Sequence, residues 1–565
     1  MQEMGESTFE QLFEAAIRHH RAGQVREAIG LYRQAAELRA EAAVWNNLSL
    51  ACREVGDVEG AVDAARRAVV LAPGHPGFWT NQGNLFREMG KLDEAIGAHR
   101  QALQLRPDSV AAINNLAVVL HDSGLVEEAI GLYRRGVDKH PNEPMVHSNL
   151  LYAMHFDPRY DSSEILREHR VWAQRHADPL LAGIPPHPNS ADPERPLRIG
   201  YVSAYLQDHV VGRFMLPLLQ AHDRARFPAF CYADESGIRD AMTQKLMAAS
   251  DAWRGIRGAS DDQVAEWVRQ DQIDILVDLG MHMSGSRLGV FARKPAPVQV
   301  TYLAYCSTTG VKAIDYRLTD PYLDPQPTPL ATSGESSEPY SEKSIWLPET
   351  YWCYQPPEGA GEPGPVPVLT TGVITFASLN SFSKVTVGAL KIWARILNAV
   401  PRSRLLLHAR EGAHRQRVTE LFAREGISEP RINFVGFVPL GRYFDLYRIS
   451  DIALDPFPYA GGTTTCDAIW TGVPVITLAG NTAVGRGGVS ILTNIGATEL
   501  IASNLDEYVQ IAANLANDLP RLIELRQSLR TRMMQSPLTD EPRFARQLEH
   551  AYRGIWNDWC AGTRG

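Results

Sequence analysis

Apolar positions in the first third of the chain recur with a helical period, and the pattern itself repeats. Gly23, Gly56, Gly90 and Gly124 stand 33, 34 and 34 residues apart. Ala28, Ala61, Ala95 and Ala129 keep the same spacing, and Pro73, Pro107 and Pro141 follow at 34-residue intervals. The string EAIGLYR occurs at 27–33 and again at 128–134. Each unit reads as two amphipathic helices. The glycine ends the first, the alanine lets the second pack closely, and the proline stands where a helix cannot continue. This is the tetratricopeptide pattern, predicting an α-solenoid over residues 1–180 with a degenerate helical pair at 145–180 closing the stack.

After a proline-rich joint at 181–196 the period changes. Short apolar runs appear at Leu197–Val202, Ile273–Leu279, Val298–Leu303 and Tyr316–Thr319, mostly followed by helical stretches. A second interruption, Pro325–Pro367, is loop-like, with Ile345-Trp346-Leu347 as a short edge segment. The alternation restarts with Val373–Leu379, Arg404–His408, Ile432–Phe437, Ile452–Asp455 and Val475–Leu478. These runs predict an α/β half built of two Rossmann-like lobes, 197–365 and 366–540, with ligands expected at strand C-terminal ends. Residues 541–565 predict a terminal helix that crosses back to the first lobe.

Composition narrows the choice of partners. A net charge of −9 argues against nucleic acid or an anionic membrane. No stretch approaches the roughly 18 apolar residues of a membrane span, and Met1–Glu10 lacks the apolar core of a signal peptide. Cys52, Cys231, Cys306, Cys353, Cys466 and Cys560 form no metal-ligand spacing. They read as reduced thiols of a cytoplasmic protein without zinc chemistry.

Several residues carry candidate chemistry. Asn47, Asn81, Asn115 and Asn149 recur at 34 residues. Such a ladder of carboxamides could pair with the amides of an extended peptide, or tie adjacent helices together. In Asp455-Pro-Phe-Pro-Tyr-Ala-Gly-Gly-Thr-Thr-Thr-Cys-Asp467, a strand ends, a turn follows and threonines open a helix. Gly461 and Gly462 would admit a diphosphate to the helix N-terminus, Thr463 and Thr464 would add hydroxyls, and Asp467 could accept ribose hydroxyls. A plain N-cap before a solvated helix is the alternative. Lys384 ends the loop that starts at Asn380, just before a helix, where an anion would relieve an unfavourable cation. His209 and His282 follow first-lobe strands and suit a base, a proton relay or a structural hydrogen bond. No Asp-X-Asp pair occurs, which agrees with a metal-free site.

These features together resemble the O-GlcNAc transferase family over nearly the whole chain. The resemblance rests on Phe291-Ala-Arg-Lys-Pro-Ala-Pro-Val-Gln299, Thr308-Thr-Gly310 and Asp315-Tyr. It rests equally on Leu454-Asp-Pro-Phe-Pro-Tyr459, Gly462-Thr-Thr464, and Arg486 with Ser490. It implies a GT-B fold, no cofactor or metal, and inverting transfer of a sugar, GlcNAc from UDP-GlcNAc, to Ser or Thr hydroxyls of proteins. On the same basis Lys384 contacts the diphosphate, Thr463 and Thr464 bind phosphate, Asp467 holds ribose, and His209 is the cleft histidine taken as a base. His282, Tyr305, Thr308 and Arg486 become acceptor or donor contacts. The sequence departs from the family at Val210, Arg213, Ala304, Cys306 and Gly462, all around donor and acceptor. Rival expectations are a GDP-fucose-dependent O-fucosyltransferase, an Asn glucosyltransferase, a nucleotide-sugar epimerase, and a repeat scaffold with a degenerate nucleotide-binding half.

Overall fold

A computed structural model describes residues 2–234, 239–326 and 339–563. Residues 327–338 of the expected interlobe loop lie outside them. The chain forms two compact units, Met1–Pro141 with Ala409–Arg417, and Asn142–His408 with Val418–Gly565.

The first unit holds helices α1 (Gln2–Arg21), α2 (Val25–Leu38), α3 (Ala42–Glu54), α4 (Val58–Leu71), α5 (Pro76–Glu88), α6 (Leu92–Leu105), α7 (Val110–Asp122) and α8 (Val126–Lys139). The sequence repeat explains their ends. Gly23, Gly56, Gly90 and Gly124 adopt φ of +75° to +79°, the left-handed conformation that stops a helix at little cost only for glycine. Ala28, Ala61, Ala95 and Ala129 are fully buried, so the second helix of each pair seats directly on its neighbour. Arg53 pairs with Glu88, and Arg87 with Asp122, one repeat further on. These contacts are half-exposed and add little energy, but they mark the register. The Asn81 carboxamide donates to Asn46 of the preceding repeat at 2.7 Å, and the Tyr32 phenol meets Asn47. At these positions the ladder ties repeats together, the plainer of its two readings.

Helices α9 (Pro144–Met154) and α10 (Ser162–His176), expected to end the solenoid at 180, belong to the second unit. Asn149 lies on α9, in a different unit from the other three asparagines. The pair is seated on the following lobe by close contact. His282, 0% exposed, bonds to Ser148 and to the Thr309 carbonyl, and a Cβ on Gly310 would stand 2.4 Å from the His169 carbonyl oxygen.

The rest of the second unit contains two parallel sheets. The first is ordered β3-β2-β1-β4-β5-β6-β7. Its strands are β1 (Ile199–Ser203), β2 (Ala229–Ala233), β3 (Ala252–Gly255), β4 (Ile275–Asp278), β5 (Val298–Thr301), β6 (Tyr316–Thr319) and β7 (Lys343–Trp346). The second is ordered β10-β9-β8-β11-β12-β13. It comprises β8 (Ile374–Ser378), β9 (Ser403–His408), β10 (Ile432–Val435), β11 (Ile452–Leu454), β12 (Val475–Leu478) and β13 (Ile501–Ala502). The order reverses between β1 and β4 and between β8 and β11, which opens a crevice at the carboxyl end of each sheet. The terminal helix, Glu541–Thr563, returns to the first lobe: Glu549 accepts from the His222 ring and the Asp223 amide, and the Trp556 indole donates to the Asp192 carbonyl. Across the lobes, Ser490 donates to Asp320, and the Arg486 guanidinium to the Tyr322 carbonyl.

Two glycines at positive φ should respond differently to substitution. At Gly56 an added Cβ meets open space, so Gly56→Ala should cost only the left-handed strain, about 1 kcal/mol. Gly310→Ala, which adds a clash with backbone, should cost about 3 kcal/mol. Calorimetric unfolding of both variants checks this, and equal losses would refute the close contact at Gly310.

Candidate active site

The reversal points of the two sheets bring His209, after β1, together with Lys384, after β8, and the glycine-rich loop after β11. They line a cavity of about 360 Å³, a volume suited to a polar small-molecule ligand. A larger hollow, about 630 Å³, lies between β7 and the terminal helix. It contains none of the glycine-rich loop or its neighbours, so the smaller cavity is the chemical site.

Asp455 organises the loop. Its buried carboxylate accepts from the Gly461 amide at 2.7 Å and from Thr477 Oγ1 at 2.8 Å. Burial raises its pKa to about 6 against those hydrogen bonds and the Lys384 charge. The turn is packed too tightly for side chains. A Cβ on Gly461 would stand 2.6 Å from Thr465 Oγ1 and 2.7 Å from Asp455 Oδ1, and one on Gly487 would lie 2.6 Å from the Gly461 carbonyl oxygen. The helix Thr463–Trp470 therefore starts at the cavity wall with its first amides towards the ligand space. Thr464 donates to Asn380 Oδ1 at 2.8 Å, which fixes that threonine, while the buried Thr463 hydroxyl has no partner among the described residues.

Lys384 follows from the turn Asn380–Ser383. Its ammonium donates to the Ala460 carbonyl at 2.9 Å and lies 4.1 Å from the Tyr459 ring centre. Among the described residues no carboxylate pairs with it directly. Burial depresses its pKa to about 8, opposed by the more distant Asp455. This is a cation held in place, short of a full counter-charge.

His209 caps the helix Val210–Ala221. Its Nδ1 accepts from the Val211 amide at 3.2 Å, and its ring stacks on Tyr205 at 4.3 Å. Burial lowers its pKa to about 4, so the ring is neutral at pH 7 and carries its proton on Nε2. With the Val211 amide on Nδ1, the His209 ring turns Nε2 to the cavity as a hydrogen-bond donor.

Four other expected contacts are held by partners within the protein. Asp467 is 1% exposed and lies outside the cavity lining. Its carboxylate accepts from Arg213 and from the Tyr354 phenol, both at 2.7 Å. The departure at Arg213 is thus the partner of Asp467, joining the lobes. His282 is the buried pillar between α9 and the first lobe described above. Thr308, fully buried, donates to Glu342 Oε2 at 2.7 Å. Arg486 is committed to the Tyr322 carbonyl. Tyr305 does line the cavity, packed against Tyr152 and His155.

The cavity also contains residues that spacing could not single out. Tyr152 reaches it from α9, and Phe214 and Trp352 form another wall. Trp352 lies in the loop-like stretch between lobes, where nothing in the local pattern marks it. Val210, Ala304, Cys306 and Gly462, the remaining departures, all line the cavity. No Asp or Glu does.

Two parallel-sheet lobes around a cleft, with this loop-to-helix turn at the switch point, define the GT-B class of glycosyltransferase architecture. A family model described as Glycosyl transferase family 41 matches residues 172–355 and 368–548, and one described as Tetratricopeptide repeat matches 13–76 and 80–144. The chain belongs to glycosyl transferase family 41. A solved structure of Thermobaculum terrenum O-GlcNAc transferase superposes with a TM-score of 0.85 at 36% identity, covering 92% of this chain and 98% of that one. Among curated relatives, the probable UDP-N-acetylglucosamine–peptide N-acetylglucosaminyltransferase SPINDLY of Petunia hybrida is 38% identical over 73% of this chain. The probable UDP-N-acetylglucosamine–peptide N-acetylglucosaminyltransferase SEC of Arabidopsis thaliana is 30% identical over 68%. The chain spans only 44% and 40% of the lengths of these two relatives. No helix among the described residues is long and apolar enough to cross a membrane.

Two outcomes test this geometry. With lysines methylated by a ¹³C-labelled reagent, a resonance that Lys384→Met removes should titrate near pH 8 in the empty protein. Arg213→Ala leaves Asp467 buried without its cation and should destabilise the second unit by about 3 kcal/mol. Denaturant unfolding reads this, and a loss below about 1 kcal/mol would show that the pair is not a buried tie.

Proposed function

We propose that this chain is a protein O-glycosyltransferase that moves a sugar, GlcNAc from UDP-GlcNAc, to Ser or Thr hydroxyls of polypeptides engaged by its helical repeats. Transfer inverts the anomeric centre and needs no metal ion. The observation that carries this reading is Lys384: an ammonium without a carboxylate partner, beside a glycine turn and a helix N-terminus. That set matches a leaving diphosphate, whose charge it would neutralise as the bond to the sugar breaks. The absence of carboxylates from the cavity lining supports charge neutralisation by protein groups, because a divalent ion would find no hard anionic ligands there. Family membership and the printed activities of the relatives support the choice of donor.

In this mechanism the acceptor hydroxyl attacks the anomeric carbon in line with the departing diphosphate, the bond from that carbon to the diphosphate oxygen breaks, and the hydroxyl proton passes to an oxygen of the leaving diphosphate. Lys384, the Thr463 hydroxyl and the first helical amides receive the developing negative charge, with Thr464 held by Asn380. His209, neutral and donating through Nε2, contributes a hydrogen bond to donor or acceptor oxygens. Asp467 serves the reaction indirectly by holding Arg213 and Tyr354 across the lobes.

The reading is tested by a donor screen with UDP-GlcNAc, UDP-glucose, GDP-fucose and UDP, each with EDTA, followed by calorimetry and intact mass. UDP-sugar binding and one sugar of added mass on a peptide acceptor are expected, with at least tenfold weaker binding in Lys384→Ala. Only the protonated lysine attracts the diphosphate, so affinity should be full below pH 7 and lost as the pH rises through about 8. Between pH 7 and 9 the dissociation constant should increase about tenfold. A preference for GDP-fucose would move the protein to fucosyl transfer, and no nucleotide binding would make it a scaffold.

A further inference from the structure

Gly462 and Trp352 face each other in the wall of the cavity. Gly462 precedes the helix Thr463–Trp470, and a Cβ built on it would lie 3.0 Å from Cη2 and 3.3 Å from Cζ3 of the Trp352 indole. The ring has little room to retreat. It packs on Phe214 at 5.3 Å and edge-on to Tyr351 at 5.0 Å between ring centres. Its backbone amide is held by Thr350 Oγ1 at 3.0 Å. A Cβ on Gly487 would likewise approach Cζ2 to 3.7 Å and collide with the Gly461 carbonyl oxygen. The indole thus occupies the volume that a side chain at 462 would take. Its N–H is buried and has no acceptor among the described residues. A buried indole N–H ordinarily has one, so this group is a donor whose partner the protein itself does not supply.

We propose that Trp352 and Gly462 are a coupled specificity pair for the nucleoside-diphosphate part of the donor. The indole replaces a side chain at 462 as the contact surface over the glycine turn. Its N–H bonds to a donor oxygen once a ligand settles against Gly461–Thr463 and the wall adjusts by a few tenths of an ångström. This rests on the donor reading above and adds to it a residue from the interlobe segment, outside the motifs by which the family is recognised. The pair also accounts for the bare Gly462: with tryptophan opposite, a side chain there would have to displace the indole by a few tenths of an ångström.

The test is a double-mutant cycle on the dissociation constants of UDP and GDP, using the full chain, with Trp352→Leu, Gly462→Ala and the combination. Trp352→Phe serves as a milder variant should leucine impair folding, and melting temperatures are followed throughout. Trp352→Leu should weaken the nucleotide that the wild type prefers about tenfold. Trp352→Phe should do so severalfold. Gly462→Ala should weaken it in the wild-type background but add little once leucine stands at 352. The cycle cancels any backbone cost of alanine at φ −127° and ψ −82°, because that cost is common to both backgrounds. Additive losses, or unchanged binding in Trp352→Leu and Trp352→Phe while the wild type binds, would overturn the pairing and leave the donor reading standing. No binding of either nucleotide by the wild type would overturn both.

Discussion

Asp455 is buried at the end of β11, and each of its oxygens carries a hydrogen bond on which the catalytic half relies. One holds the Gly461 amide and so sets the turn that aims the Thr463 helix at the cavity. The other holds Thr477 on the neighbouring strand, which anchors that turn to the sheet. The cost of burying this carboxylate, visible in its raised pKa, is offset by these bonds and by the Lys384 charge. Lys384 in turn reaches the Ala460 carbonyl in the same turn. Helix start, cation and glycine turn are therefore one unit arranged around a single buried charge.

Much of the architecture was legible because burial leaves a periodic trace. The 34-residue register appears as left-handed glycines and buried alanines. The strands at the centres of both sheets appear as continuous apolar runs. Three strands were not anticipated, each for a physical reason. β2 (Ala-Phe-Cys-Tyr-Ala) is short and follows a proline, β3 is an edge strand with a half-exposed pattern, and β13 has only two residues. Helices α9 and α10 group with the sheet-containing unit because they keep a helical period while burying their faces against a sheet lobe. Amphipathicity records that a face is covered and not by what.

The site was legible where function requires unusual backbone, and illegible where side chains meet across distant segments. Gly461, Gly462, Thr463 and Lys384 stood out because turns and helix starts have local signatures. The partnership of Asp467 with Arg213 spans 254 positions and leaves no local mark. Trp352 is equally silent. The most recognisable motif proved to be scaffold. Gln299 bridges the Phe291 and Ala313 carbonyls, Asp315 takes Lys294 and the Gln299 amide, and Thr308 and Thr309 clasp Glu342. Such residues identify the fold because a dense hydrogen-bond network tolerates few alternatives, and they say little about what is bound.

The contact among Arg213, Asp467 and Tyr354 has a kinetic meaning. It spans the cleft at a place where both charges are almost dry, so the lobes cannot part there by degrees. A small displacement loses the short hydrogen bonds before water can reach either ion, and only a full separation recovers solvation. Parting the lobes at this edge would break the hydrogen bonds of Arg213 and of Tyr354 to Asp467 together.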